Sequence, residues 1–172
     1  MAETPSTDPD SIVGRKIDVP ASFLFDDKTK NYMKISFVVT SLNDKTANTA
    51  FGGLSCNREF IFRSIRKRSQ KLDAIGEVLT KDNWKLQVTV TAILNRNIES
   101  NIQTKARKFI LNSLSDAAKE STMDDFVKTA VSGAYQKKMR KDGSKIYPLR
   151  FAEISKIEVL KVGLVAEAGK NN

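Results

Sequence analysis

An α+β fold built on a largely antiparallel sheet follows from three features of this 172-residue sequence. Strand-like alternation comes first, one basic helix interrupts the strands, and two further helices run together before a returning strand. The connections are short, which favours antiparallel neighbours and a single domain over residues 14–163. Partial closure of the sheet into a barrel stays open as an alternative. A flexible acidic segment over 1–13 and a frayed tail over 164–172 flank that domain.

The first strand opens at Gly14, where Ile17, Val19, Ala21, Phe23 and Phe25 alternate with Lys16, Asp18, Pro20, Ser22 and Leu24. Pro20 cannot donate to a ladder, so this strand belongs at an edge or at a bulge. Ile35, Phe37 and Val39 form one face of a second strand, opposite Lys34, Ser36 and Thr40. Asn43-Asp44-Lys45 predicts a turn into a third strand near 47–54. Asn57 caps a helix running to about Asp73, with Glu59 in its first turn complementing the dipole. A weaker strand over 74–80 enters a hairpin at Asp82-Asn83, two residues that tolerate positive φ. Its partner is the clearest strand: Trp84, Leu86, Val88, Val90 and Ala92 alternate with Lys85, Gln87, Thr89 and Thr91. Helices over about 98–121 and 124–141 follow, with Thr122 as the cap of the second. Asp142-Gly143 stops it, and Pro148 holds Tyr147 extended at the start of a last strand reaching Val162.

Composition excludes much chemistry. The chain has no histidine and one cysteine, Cys56, so a His-based triad, a His general base, a disulfide framework and a Cys/His zinc site all lack their residues. The opening residues are acidic and polar, without the basic-then-apolar order of a secretory signal. No stretch approaches the ~18 apolar residues of a membrane span. Gly52-Gly53 is not a phosphate loop, since no Gly-Lys-Ser/Thr follows. Asp116, Glu120, Asp124 and Asp125 are the one acidic grouping that could hold Mg²⁺ for a nuclease, but Asp124 and Asp125 suit a helix start without any metal. Cys56 has basic neighbours that favour a thiolate, yet it lacks a base partner, so a structural thiol is the expectation.

What remains is charge. Lys and Arg number 29 against 20 Asp and Glu, a net of +9. Residues 1–29 hold six acids and three bases, so the excess lies entirely beyond them. A surface of this sign attracts polyanions, whether nucleic acid, acidic membrane or acidic protein, by steering and counterion release. Arg58, Arg63, Arg66, Lys67, Arg68 and Lys71 fall on the helix predicted over 57–73, with Arg63, Lys67 and Lys71 as one stripe and Ile61, Ile65 and Leu72 as the opposing apolar ridge. An ordinary solvated face mixes signs, whereas here six bases meet the single acid Glu59, so phosphate contact is the favoured role. Arg96, Lys105, Arg107 and Lys108 form a second cluster. Lys137, Lys138, Arg140 and Lys141 crowd the end of the last helix, a placement that suits its dipole with no ligand at all, and Lys145 and Arg150 extend it. Phe23, Phe25, Phe37, Trp84 and Phe151 fall on core faces, leaving only Tyr32, Tyr147 and Phe62 for exposure. A base-stacking platform is therefore not expected.

Several segments in order say more: Gly14-Arg15-Lys16-Ile17-Asp18-Val19, Asn57-Arg58-Glu59-Phe60, the run from Arg66 to Ile75, Thr80-Lys81-Asp82-Asn83-Trp84-Lys85-Leu86, Lys145-Ile146-Tyr147-Pro148-Leu149-Arg150 and Ile157-Glu158-Val159-Leu160. Over roughly residues 10–163 this set resembles a small-ribosomal-subunit protein family shared by archaea and eukaryotes, called e-S-one or S-three-A-e, in its compact archaeal form. The resemblance implies a cytoplasmic, structural ribosomal protein on the platform of the small subunit, near the 3′ end of the rRNA and the mRNA exit. It implies rRNA, neighbouring ribosomal proteins and mRNA near the exit as partners, and neither catalysis, cofactor, membrane nor small-molecule substrate. The family's basic helix corresponds to Arg58, Arg66, Lys67, Arg68 and Lys71. Family members carry a further segment ahead of the Gly-Arg strand, where this chain has 13 mostly polar residues. A free-standing RNA-binding or RNA-chaperone protein is the alternative that the same basic patches allow.

Overall fold

Pro20 closes strand β1 (Lys16–Pro20), which lies at an edge of the sheet as a residue without an N–H donor requires. The computed structural model describes residues 12–25, 27–43, 46–144 and 147–162. The order continues with α1 (Ala21–Phe25), a 3-10 turn at Lys28–Lys30, β2 (Met33–Asn43), β3 (Thr46–Cys56), α2 (Arg58–Ser64), β4 (Gln70–Leu79) and β5 (Lys85–Leu94). It ends with α3 (Ser100–Glu120), α4 (Met123–Ser132), α5 (Ala134–Gly143) and β6 (Leu149–Lys161). Among the described residues the six strands form one sheet, ordered β1-β2-β3-β6-β5-β4, with every neighbouring pair antiparallel. The sheet stays open, with β1 and β4 as its edges.

The sheet is two three-stranded halves with a narrow join. β5 and β6 pair along their whole lengths, but β3 meets β6 only at Gly53↔Glu158, Leu54↔Ile157 and Ser55↔Lys156. Helix α3 covers one face. Leu72, Ala74 and Val78 on β4 and Leu86, Val88, Val90, Ala92 and Leu94 on β5 are buried beneath the helices together with Ile110, Leu114 and Phe126. Gly76 lets α3 approach, since a Cβ there would lie 2.5 Å from Leu111 Cδ2.

Four expectations need correction. The alternation from Ile17 to Phe25 does not continue as strand, because Pro20 ends the ladder and the chain turns into α1, which leaves Phe23 and Phe25 exposed instead of in the core, with Leu24 exposed between them. The helix capped by Asn57 is seven residues long and does not reach Asp73. Ile65 is already extended, Arg68 adopts φ 67°, and Gln70 begins β4. The stripe of Arg63, Lys67 and Lys71 therefore does not exist, and Ile61 and Leu72 are buried on different elements. Finally, the helix predicted over 124–141 is two helices, broken where Gly133 takes φ 85°.

Caps behave as the sequence indicates. Asn57 Oδ1 accepts from the Glu59 N–H, and Thr122 Oγ1 accepts from the Asp125 N–H while donating to Asp125 Oδ2 at 2.9 Å. Thr122→Ala should cost about 1 kcal/mol and lower the melting temperature by about 2–4 °C for a chain of this size, readable by calorimetry.

Candidate nucleic-acid interface

Strand direction decides where the basic residues meet. Gln70 opens β4 opposite Leu94, the last residue of β5, and Leu94 also faces Leu149, the first residue of β6. The turn at 66–69, the loop at 95–99 and the entry into β6 therefore share one end of the sheet. The Ile98 N–H donates to Gln70 Oε1 at 2.9 Å and pins the loop there. The turn is closed by Ser69, whose hydroxyl donates to Arg66 O and accepts from the Arg66 N–H, leaving the side chains of Arg66, Lys67 and Arg68 exposed.

The helices bring more positive charge to the same end. α3 starts just after the loop, so Lys105 and Lys108 lie in the half nearest to it, both exposed. α5 returns to it, and its last residue, Gly143, packs so closely that a Cβ would lie 2.5 Å from Leu149 Cδ1. Lys137, Arg140 and Lys141 line a recess of about 280 Å³ with Ser144 and Leu149. Arg96 and Arg150 sit on the adjoining loop and strand. Glu99 and Asp142 are the acids among these segments.

The far end of α3 has the opposite character. The Lys81 N–H donates to Ser121 O, and the Met123 N–H donates to Asp82 Oδ2 at 3.1 Å, so the β4–β5 hairpin tip closes over the α3–α4 turn. Asp82, Asp116, Glu120, Asp124 and Asp125 collect there among Lys81, Lys119 and Lys128. Over the 21 residues of α3, about 30 Å of helix, the surface passes from strongly basic to mixed and acidic. Of the acids weighed for Mg²⁺, Asp125 is occupied in capping α4.

Not every predicted contact residue belongs to this end. Arg107 Nε donates to Asp73 O at 3.2 Å, bracing α3 against the edge strand, and Lys71 Nζ lies 2.9 Å from Asp73 Oδ2. Arg58 and Arg63 ride on α2, and Arg58 lines a cleft of about 510 Å³ with Lys71 and Lys156. Lys138 is exposed on α5, and Lys145 lies outside the described residues. Sequence reading missed Lys156, which no basic run accompanies.

Behind α2, Tyr32 stacks on Phe60 with centroids 3.7 Å apart, and both Tyr32 and Cys56 lie near Glu153. Burial, then the charge of Glu153, pushes the Cys56 thiol up to about 12, opposite to the thiolate its basic neighbours in sequence suggest. The tyrosine hydroxyl is pushed up for the same reasons. Burial also holds the Glu153 carboxyl above its ordinary range, only partly offset by the hydrogen bond that Gln136 Nε2 donates to Oε1 at 2.9 Å and by Lys30. From about pH 4.3, where an unfolded glutamate ionises, up to the raised folded value, the native state keeps a proton the unfolded state has lost. Stability must fall as pH rises through that window. Glu153→Gln should flatten melting temperature against pH there, since an amide oxygen still accepts from Gln136.

The Ribosomal S3Ae family model matches residues 1–163. The small ribosomal subunit protein eS1 of Methanobrevibacter smithii is 33% identical over 160 residues, covering 93% of this chain and 83% of the relative. That of Methanopyrus kandleri is 30% identical over 165 residues, covering 94% and 78%. That of Sulfurisphaera tokodaii is 33% identical over 161 residues, covering 94% and 83%.

Proposed function

The chain belongs to the ribosomal S3Ae family, and on that premise we propose that it is a structural constituent of the small ribosomal subunit that binds rRNA through the basic end of its sheet. Its place is the platform near the mRNA exit, beside other small-subunit proteins, where it supports assembly and translation. The observation that carries the RNA contact is the gathering of Arg66, Lys67, Arg68, Arg96, Arg140, Lys141 and Arg150 from four separate segments onto one end, away from the acids at the hairpin tip. Side chains of this kind hold phosphates and fix orientation more than they select sequence. A rigid sheet end with a salt-sensitive grip suits an RNA whose fold, not its base sequence, presents the site.

Sedimentation of the protein from a lysate through a sucrose gradient in Mg²⁺ tests the proposal. Co-migration with the small subunit and whole ribosomes after a moderate salt wash is expected. A peak at the top, with a control small-subunit protein sedimenting normally, would leave the free-standing RNA-binding protein as the better account.

A further inference from the structure

The face of the sheet turned away from α3 is not closed. Lys71, Asp73 and Ile75 point from β4 to that side, and α2 overhangs them to form the cleft of about 510 Å³. Two large apolar side chains in its walls stand in water: Phe62 on α2 is 59% exposed and Ile75 is 57% exposed. Neither is buried, whereas Ile61, which lines the same cleft, is. A cleft that leaves an aromatic ring and a branched aliphatic uncovered has apolar area to bury on a ligand.

The remaining lining says what kind of ligand. Arg58 lines the cleft and has no hydrogen bond or ion pair among the described residues, so its guanidinium donors are unengaged. Lys71 and Lys156 pair with Asp73 at 2.9 Å and Glu158 at 2.6 Å, each keeping ammonium protons to spare. Asp73 also accepts from Thr91 Oγ1 at 2.8 Å, which fixes its carboxylate at the floor beside Thr89. Cys56 presents a neutral thiol. An apolar peptide would leave the cations unmatched, and a simple anion would leave Phe62 and Ile75 wet. A duplex hides its base faces and cannot offer one to Phe62.

A single nucleotide answers all parts of the surface. We propose that this cleft receives one unstacked nucleotide of single-stranded RNA, with its base against Phe62 and Ile75 and its phosphate on Arg58, while Asp73 accepts from a base amino group. The volume lies in the range of small-molecule sites. The proposal rests on the ribosomal reading for the source of the RNA, and it restores, on one residue, the stacking surface that the sequence did not predict.

Fluorescence anisotropy on the full chain tests it, with labelled hexanucleotides of cytidine or adenosine and a labelled blunt-ended duplex as probes. Phe62→Ala should weaken single-strand binding by about 5- to 150-fold, the value of one base–aromatic stack, and leave duplex affinity unchanged. Phe62 is exposed, so the fold should survive, and Phe62→Trp offers a second readout in which the hexanucleotide quenches the new indole. Unchanged single-strand affinity in Phe62→Ala, or unquenched emission in Phe62→Trp, overturns the proposal. Loss of a protein neighbour by Phe62→Ala at unchanged single-strand affinity assigns the cleft to a peptide and overturns it equally. Failure of the ribosomal reading would appear elsewhere, as wild-type protein at the top of the gradient.

Discussion

Replacing Arg66, Lys67, Arg140 and Lys141 together with glutamine should flatten the salt dependence of RNA binding by about 3 in the slope of log K against log salt, because each phosphate neutralised contributes about 0.7 to 0.9. All four side chains are exposed, and none has a hydrogen bond or ion pair among the described residues. The bonds that close the turn run between the Ser69 hydroxyl and the Arg66 backbone and do not involve these side chains. The melting temperature should therefore hold while affinity falls. Binding titrations from low to moderate salt read the slope directly. The control exchanges three lysines, Lys81, Lys119 and Lys128, at the opposite end, and it should leave the slope nearly intact. Equal effects per charge removed from the two sets would mean that net charge, and not its placement, holds the RNA.

Gly53→Ala should destabilise the chain by about 3 kcal/mol or more, combining the backbone strain of a glycine-only conformation with overpacking. Gly53 has φ 156°, and a Cβ there would lie 2.7 Å from the carbonyl oxygen of Ile157. That oxygen belongs to the backbone of β6, so it cannot swing aside like a side chain. Gly53 is also one of the three β3 residues that join the two halves of the sheet. Pushing β3 away from β6 uncovers Leu54 and Ile157, both buried. Gly14→Ala separates strain from contact, since Gly14 has φ 85° but nothing within 4 Å of the added atom. It should cost only about 1 kcal/mol. Chemical denaturation of both variants distinguishes them, and equal losses would remove the close approach as the cause.

The strands were legible because alternation is local. Leu86, Val88, Val90 and Ala92 declare one face of β5 without reference to the rest of the chain, and all four are buried. Caps are local as well, so Asn57, Thr122 and the Asp82-Asn83 hairpin stand where expected, with Asn83 at φ 61°. The end of α2 was not legible. Arg68 takes a positive φ without being glycine or asparagine, and no proline or glycine marks the break. Ile61, Ile65 and Leu72 fit a helical ridge, but Leu72, Ala74 and Val78 fit a strand equally well, and pairing with β5 chose the strand. Gly133 carried a signal that an isolated glycine within a helical pattern does not resolve until its φ is known.

For the candidate interface, the sequence by itself determined the sign and amount of charge, the lack of histidine chemistry and an ordered set of segments sufficient to indicate the family. The tertiary structure alone decided which bases act together. Residues 66–68, 96, 140–141 and 150 share no local pattern. They meet because β4 begins, β5 ends and β6 begins at one end of an antiparallel ladder, while α3 departs from that end and α5 returns to it. The same pairing moved Lys71 off a helix and into an ion pair with Asp73, and it set Ile75 and Phe62 in the walls of one cleft. Composition is a sum over residues, but a binding surface depends on contacts between residues far apart in the chain, and those are fixed only when the hydrophobic faces of the strands find their partners.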